Sequence, residues 1–453
     1  MPMITIENGT HRSPVRSLLD ICSVRRRRHV GRTATETSLK IPLVAACLLV
    51  AGLINCADTA SAAEKTTLRL ATWTAKSPGF QEWWPTLIKE YEAAHPGTTV
   101  TIQPIAFADF VRAITTQFIA GSPPDIVHIP LPTVNLPAWA EAGFLAPLEK
   151  RIAGTDIKTL WPKTQAAMTW KGPTYGVLLA DYGYVMYYNA ALLKAANLVA
   201  PTTPETLLTA AEAVTKAGKY GFAITDDHSA NFVRDALEFV TGMGGQWIKD
   251  GKWNWTDPKV VAALDLWRKL ARDYSPKGTD INAKRQAFYD GNVAMMIENP
   301  AIWPNVKTAA KPDVFPNLHL ARVPFPIVPG DTSHGLGLPA DLSNDRAALA
   351  WDFIQLAASP KWQGEYARLV NSPVTRPGSS DILRSNPDTT VIADSAMDPT
   401  LLVSNDAEGV RRNFDVFSTS LADGLHRLLQ SDTPTTQVMR DLEKTLTAKD
   451  IAP

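Results

Sequence analysis

Residues 68–129, LRLATWTAKSPGFQEWWPTLIKEYEAAHPGTTVTIQPIAFADFVRAITTQFIAGSPPDIVHI, decide the fold. Residues 68–73 alternate in the period of a half-buried strand. Phe80, Trp83, Trp84, Leu87, Ile88 and Tyr91 then recur at three- and four-residue spacing, the apolar stripe of a helix. His95-Pro96-Gly97 stops that helix. Residues 99–105 read as a second strand. Phe107, Val111, Ile114 and Phe118 mark a second helix that ends at Gly121. The turn Gly121-Ser122-Pro123-Pro124 leads into a short buried strand over 126–129. Strands alternating with helices imply a parallel sheet joined by right-handed crossovers.

The same logic continues downstream. Residues 175–188 form a long β-prone run, and helices are expected near 204–217 and 231–241. Thr256-Asp257-Pro258 is a helix start, with a capping side chain and proline at the first helical position. Its expected buried stripe is Val261, Leu264, Trp267 and Leu270 with Ala271. Residues 293–297 read as another buried strand, and the last hundred residues are mostly helical, with Trp351, Ile354 and Ala358 on one face. No repeat and no Pro/Gly/Ser linker divides the chain. Two lobes would therefore be joined by strands crossing between them.

The formal net charge of zero argues against a general nucleic-acid binder. The zero hides an asymmetry. Residues 1–62 hold eight of the 45 basic residues and four of the 45 acidic ones, which leaves 37 against 41 and a net charge of −4 beyond them. The basic leader reads as an export signal. Arg25-Arg26-Arg27-Arg28, Arg32 and Lys40 supply charge, residues 41–54 are apolar, and Ala60-Ser61-Ala62 offers a small-x-small cleavage site. An apolar run of about 14 residues is short for a membrane span of roughly 20. Twin-arginine export and a lipid anchor at Cys56 are weaker readings of the same leader. Cys22, Cys47 and Cys56 all lie within it, so a chain cleaved after Ala62 has no cysteine and no disulfide.

These segments, in this order, resemble the family-1 extracellular solute-binding proteins of ATP-driven importers, the group that includes maltose- and glycerol-3-phosphate-binding proteins. The resemblance covers nearly the whole mature chain. It rests on the Trp-bearing first strand, on Tyr91-Glu92-Ala93-Ala94-His95-Pro96-Gly97, and on Gly121-Ser122-Pro123-Pro124-Asp125-Ile126-Val127. It continues through Ala142-Gly143-Phe144-Leu145-Ala146-Pro147-Leu148, Tyr175-Gly176-Val177, and Tyr187-Tyr188-Asn189. Phe288-Tyr289-Asp290-Gly291-Asn292-Val293-Ala294-Met295-Met296-Ile297 and Ala350-Trp351-Asp352-Phe353-Ile354 complete it. The Thr-Trp usual after the mid-chain proline is replaced by Pro204-Glu205-Thr206, a departure at a helix start. The resemblance implies an α/β, type II periplasmic-binding-protein fold with a helix-rich C-terminal region. It implies two lobes, a hinge of crossing strands and a ligand cleft between them. The expected division is 1–62 as export signal and extension, 63–180 plus 294–335 as one lobe, and 181–293 plus 336–453 as the other.

Ligands of open α/β sheets bind beyond the C-terminal ends of the strands. That rule nominates Trp73 and Thr74 after the first strand and His128 to Leu131 after the third. The 293–297 strand delivers Glu298 and Asn299. Asn299 is expected to cap a helix starting at Pro300, with Trp303 in its first turn. Asp181, Tyr182 and Tyr184 would line the hinge side. A sugar needs aromatic faces for its C–H surfaces and planar donors and acceptors for its hydroxyls. The chain's 13 tryptophans make aromatic surface plentiful. Trp83, Trp84, Trp267 and Trp351 read as core, Trp253 and Trp255 as turn packing, and Trp247 as a cleft candidate. The stretch Gly330-Asp331-Thr332-Ser333-His334-Gly335 reads either as a ligand loop presenting His334 and Gly335 or as a plain surface turn. Arg376 reads either as an anion clamp or as the partner of a nearby acid. Glu298 has an equal reading as a salt-bridged strand end, and Asp125 reads as structural.

Enzyme motifs are absent. No Gly-x-Ser-x-Gly, phosphate loop or His-Glu-x-x-His occurs. The histidines beyond the leader are scattered, and Asp226-Asp227-His228 reads as a solvated turn rather than a metal site. The expectation is therefore a monomeric, exported, non-enzymatic binding protein without cofactor or metal. It would deliver a sugar, oligosaccharide or polyol to the membrane permease of an ABC importer. A glycerol-phosphate ligand is the alternative within that class. Two rivals remain. One is a secreted glycoside hydrolase using Glu298 and Asp181, which needs carboxylates roughly 5–10 Å apart. The other is a sensor that docks on a membrane receptor.

Overall fold

The structure is a computed structural model that describes residues 65–157, 164–374, 376, 378–385, 387–403 and 407–453. The expected export signal and the three cysteines lie outside the described residues. Residues 62–453 cluster as one compact unit. Among the described residues no helix is long and apolar enough to cross a membrane.

The alternating opening segment folds as its periodicity requires. β1 (Thr66–Thr72) pairs in parallel with β2 (Thr98–Pro104) and β3 (Ile126–Pro130), and the helices Phe80–Ala94 and Phe107–Ile119 make the crossovers. The Phe80–Ala94 helix buries Phe80, Trp83, Trp84, Leu87 and Tyr91. β4 (Val177–Gly183) and β5 (Val185–Asn189) follow, then the β6 (Ile248–Lys249) and β7 (Lys252–Trp253) hairpin. β8 (Met295–Glu298), β9 (Leu318–Arg322), β10 (Pro329–Gly337) and β11 (Leu402–Val403) complete the strands. The larger sheet runs β11-β10-β3-β1-β2, with β4 also on β10. β10 lies antiparallel to both β3 and β4, so this sheet is mixed. A three-stranded sheet runs β8-β5-β9.

The 175–188 run is not one strand. It breaks at Tyr184 and feeds two sheets, since β4 pairs with β10 while β5 pairs with β8 and β9. Tyr184 is the single residue between them, and its N–H donates to the Pro329 carbonyl at 2.8 Å. β5 divides two cores: Val185 and Tyr187 join the one beneath the Phe80–Ala94 helix, and Met186 joins the other. The helices Ala230–Gly242, Pro258–Asp273, Phe414–Gln430 and Thr435–Ala448 build that second core.

Several expectations change. β8 and β9 pair with β5, whereas residues 294–335 were expected with 63–180. The Asn344–Ala357 and Pro360–Val370 helices, expected with 181–293, pack on the Phe80–Ala94 helix. Trp83 Nε1 donates to the Trp362 carbonyl at 3.1 Å, and the Tyr91 hydroxyl donates to the Leu349 carbonyl at 2.8 Å. Periodicity reveals a strand or a stripe but not which distant segment covers it. The 330–335 stretch is part of strand β10 rather than a loop. Gly335 is there for close packing: a side chain would overlap the Val177 carbonyl and Met168. The 293–297 strand is displaced, and Glu298 is its last residue rather than the residue after it.

Helix starts follow local chemistry. The Asp257 carboxylate accepts from the Lys259 N–H at 2.9 Å, with Pro258 at the first position, and Thr203 and Thr206 form a reciprocal capping box. The buried stripe after Asp257 includes Val260, while Val261 is only half-buried.

Candidate functional site

One face of the Ala230–Gly242 helix defines a cleft. Ala230, Val233, Arg234, Leu237, Glu238 and Thr241 recur at three- and four-residue spacing and line it together. The opposite face, with Phe232, Ala236, Phe239 and Val240, is buried in the second core. The far wall comes from the larger sheet: Leu131, Thr133 and Val134 after β3, and Pro329, Gly330 and Asp331 at the start of β10. Tyr184 and Phe414 close the ends. The free cavity between these walls is about 80 Å³, smaller than a typical small-molecule pocket. Leu131 holds a left-handed backbone, φ 42°, at the turn from β3 into the Pro132–Glu141 helix. That conformation costs a branched L-residue about 1–2 kcal/mol, the kind of local strain found at ligand sites.

The polar groups of the cleft are under-satisfied. Tyr184 is buried and its hydroxyl has no hydrogen-bond partner among the described residues. Arg234 carries five donors, yet its nearest carboxylate, Asp331, stands 3.7 Å from Nε, beyond hydrogen-bond range. Glu238 is 5% exposed. It makes no hydrogen bond or ion pair with any described residue. Burial pushes its carboxyl well above the usual range and Asp235 adds to that, while Lys284 and Arg234 pull it back. Other charges nearby are neutralised. Lys284 Nζ lies 2.9 and 3.0 Å from the Asp235 carboxylate, and Asp235 also accepts from the N–H and hydroxyl of Thr225. Burial would raise Glu298, but Arg285 and Lys284 hold it down to about 2.

Of the residues and stretches nominated from sequence, Tyr184, Leu131, Gly330 and Asp331 line this cleft; Trp73, His128, Asp181, Tyr182, Trp247, Glu298, Asn299, Trp303, His334, Gly335 and Arg376 are not in its lining. Trp303 is buried between Tyr187 and Phe315, with ring centroids 6.1 and 6.2 Å away. Trp247 stacks on Trp253, Trp255 and Phe417. Glu298 accepts from Arg285 Nε at 3.1 Å and from both the backbone and side-chain N–H of Asn299. The side chain of Asn299 therefore makes no cap bond to the Pro300–Ile302 turn. Arg376 donates to both oxygens of Asp156 at 2.7 and 3.1 Å and to the Ala358 carbonyl, the acid-partner reading. Asp181 and Tyr182 are buried in β4, and burial raises Asp181 to about 7.

His128 and His334 form a separate buried chain. Thr72 Oγ1 lies 2.7 Å from His128 Nδ1, His128 Nε2 lies 2.6 Å from His334 Nδ1, and His334 Nε2 lies 2.7 Å from the Tyr366 hydroxyl. Trp73 stacks on His128 with centroids 4.0 Å apart, and half-buried Trp73 touches Phe107, which is 57% exposed. Asp226 is spent on the N–H groups of Gly278 and Thr279, and His228 on Asp423. No group of His, Cys, Asp and Glu among the described residues is arranged to hold a metal.

Arg234, Glu238 and Phe414 were missed from sequence. The signal was Arg234 and Glu238 one turn apart inside the apolar stretch ANFVRDALEFVTG.

Comparison with known proteins adds three findings. The family described as bacterial extracellular solute-binding protein matches residues 86–399, more than two thirds of the chain. A maltodextrin-binding protein of Bacillus subtilis is 22% identical over 338 residues, covering 70% of this chain and 76% of the relative. Two solved structures superpose closely. One is an ABC transporter solute-binding protein of Thermotoga lettingae bound with α-D-tagatose, at TM-score 0.71 and 21% identity over 84% of this chain and 99% of that one. The other is UgpB of Mycobacterium tuberculosis with glycerophosphocholine, at TM-score 0.70 and 18% identity over 84% and 98%. The likeness establishes the type II periplasmic-binding-protein fold.

Proposed function

Because the chain belongs to the bacterial extracellular solute-binding proteins, a family of binding proteins rather than enzymes, we propose that it captures a hydroxylated small molecule of the sugar or oligosaccharide class in the Arg234–Glu238–Tyr184 cleft. The observation that carries this reading is that the cleft brings together two buried polar groups without a hydrogen-bond partner among the described residues, the Tyr184 hydroxyl and the Glu238 carboxyl, beside the Arg234–Asp331 pair. Arg234 supplies donors, Asp331 acceptors, and Tyr184 and Glu238 either, which suits hydroxyls that donate and accept at once. Leu131, Val134, Val233 and Phe414 cover the ligand's apolar faces. Nothing is bonded or broken. Glu298, one of the nominal hydrolase pair, is already tied to Arg285.

Two lobes carry the mechanism. One contains the larger sheet and the Asn344–Ala357 and Pro360–Val370 helices. The other contains the three-stranded sheet and the second core. Tyr184 marks a strand crossing between them, and cleft contacts from both sides exist together only when the lobes close. Ligand then shifts the population toward closure. The closed protein, acting as an exported monomer in the periplasm, would present its ligand to the permease of an ABC importer. Affinity in the micromolar range, about −8 kcal/mol, permits both capture and release. A glycerol-phosphate ligand is favoured by one feature, the under-satisfied Arg234 guanidinium, which matches phosphate geometry.

A thermal-shift screen of residues 63–453 against monosaccharides, disaccharides, polyols and glycerol phosphates tests this, since ligand bound only to the folded state raises the melting temperature. One chemical class is expected to raise it, and Arg234→Ala to weaken that ligand at least tenfold while Trp303→Phe binds as wild type. A hit insensitive to Arg234→Ala moves the site elsewhere. Conversion of the ligand during incubation contradicts capture without chemistry.

A further inference from the structure

Charge in and beneath the cleft does not balance. Three acids have a cation: Asp235 with Lys284 at 2.9 Å, Glu298 with Arg285 at 3.1 Å, and Asp331 with Arg234 at 3.7 Å. The fourth, Glu238, has none. It lies one turn from Arg234 on the same helix face, yet the two do not reach each other within ion-pair distance among the described residues. The groups facing it are Asp235, Lys284, Glu298 and Arg234, with Tyr184 and Asp331 across the cavity. A buried carboxyl without a partner is costly, and a neutral ligand would be served as well by an amide. The cavity wall at Glu238 therefore suits a ligand group of positive charge, with the Tyr184 hydroxyl, which has no hydrogen-bond partner among the described residues, in the same lining.

Resting on the reading of this cleft as a sugar-type capture site, we propose that Glu238 is its specificity-determining residue, selecting ligands that carry a protonated nitrogen on a hydroxylated frame, such as an amino sugar or an aminated cyclitol. The ammonium pairs with the Glu238 carboxylate and Tyr184 Oη, while Arg234 and Asp331 take the neighbouring hydroxyls. Without ligand, burial raises the carboxyl well above the usual carboxylate range, which favours its protonated form. Binding of the cation expels that proton to solvent, so affinity for a cationic ligand rises with pH wherever its nitrogen stays protonated.

The test uses matched pairs: glucosamine against glucose and N-acetylglucosamine, and galactosamine against galactose. Titration calorimetry on residues 63–453 at pH 5 and 6.5 reads affinity and, from two buffers of different ionisation enthalpy, proton release. The cationic member of at least one pair is expected to bind tenfold or more tightly than its neutral counterpart, more strongly at pH 6.5 than at pH 5, with a proton released. Glu238→Gln, isosteric and checked for folding by circular dichroism and melting, is expected to erase the preference, the pH dependence and the proton release. Neutral members that bind as tightly as cationic ones would overturn the inference and leave saccharide capture standing. A preference that survives Glu238→Gln overturns the role of Glu238. Absence of binding by every member, charged or neutral, overturns both.

Discussion

His128 and His334 sit in the middle of a buried hydrogen-bond chain running from Thr72 to Tyr366. Each link holds one proton, and burial of both imidazoles favours their neutral forms. Burial holds His334 down to about 3 and lowers His128 as well, with His334 adding to the effect on His128. Below about pH 6.5 the unfolded chain binds protons that the folded chain refuses. Stability from these histidines is therefore present above about pH 6.5 and lost as pH falls. Asp181, raised to about 7 by burial, acts in the opposite sense: its contribution is fullest at low pH and is lost as pH rises through 7. The histidine effect is thus read as a difference. Urea unfolding from pH 6.5 to 5 is expected to show the gap between wild type and His334→Asn narrowing by about 1.4 kcal/mol per pH unit. A gap independent of pH contradicts a neutral buried His334.

Among the helices, the short Glu408–Arg412 segment has a role no periodicity announced. Arg411 is 7% exposed and donates to the carbonyls of Thr133 at 3.1 Å and of Ala167 and Thr169 at 3.0 Å, with its guanidinium carbon 5.1 Å from the Trp170 ring centre. Arg412 donates to Glu141. These contacts tie the segment entering the Phe414–Gln430 helix to the far wall of the cleft, and so fix Phe414. Only a planar fork reaches three carbonyls. Arg411→Lys is expected to lower unfolding stability by about 2 kcal/mol, since hydrogen bonds to a charged group are worth about 1.5–3 kcal/mol each. Equal melting temperatures would contradict the fork. The opening strands and helices were legible because each buries one face and its period survives in the sequence, as Trp83, Trp84, Leu87 and Tyr91 show. The cleft was not. Arg234 and Glu238 look like a solvated face until Leu131, Asp331 and Phe414 are brought across from three distant segments. Tryptophan abundance misled in the other direction: Trp303 and Trp247 pack against neighbouring rings, and a large aromatic surface is worth more buried than presented to water.

For the whole molecule, a strand that leaves one sheet at Gly183 and enters another at Val185 makes Tyr184 both a joint and a wall of the cavity. On the proposed two-lobe reading, ligand contact and lobe movement are one event, because the cleft draws on residues after β3, at the start of β10 and on the Ala230–Gly242 helix together. The most direct measurement is small-angle X-ray scattering of residues 63–453 during titration with the ligand identified by thermal shift. The account predicts a radius of gyration that falls on saturation, with Arg234→Ala requiring at least tenfold more ligand to reach the same end point. A radius and lobe orientation unchanged at saturating ligand would contradict it.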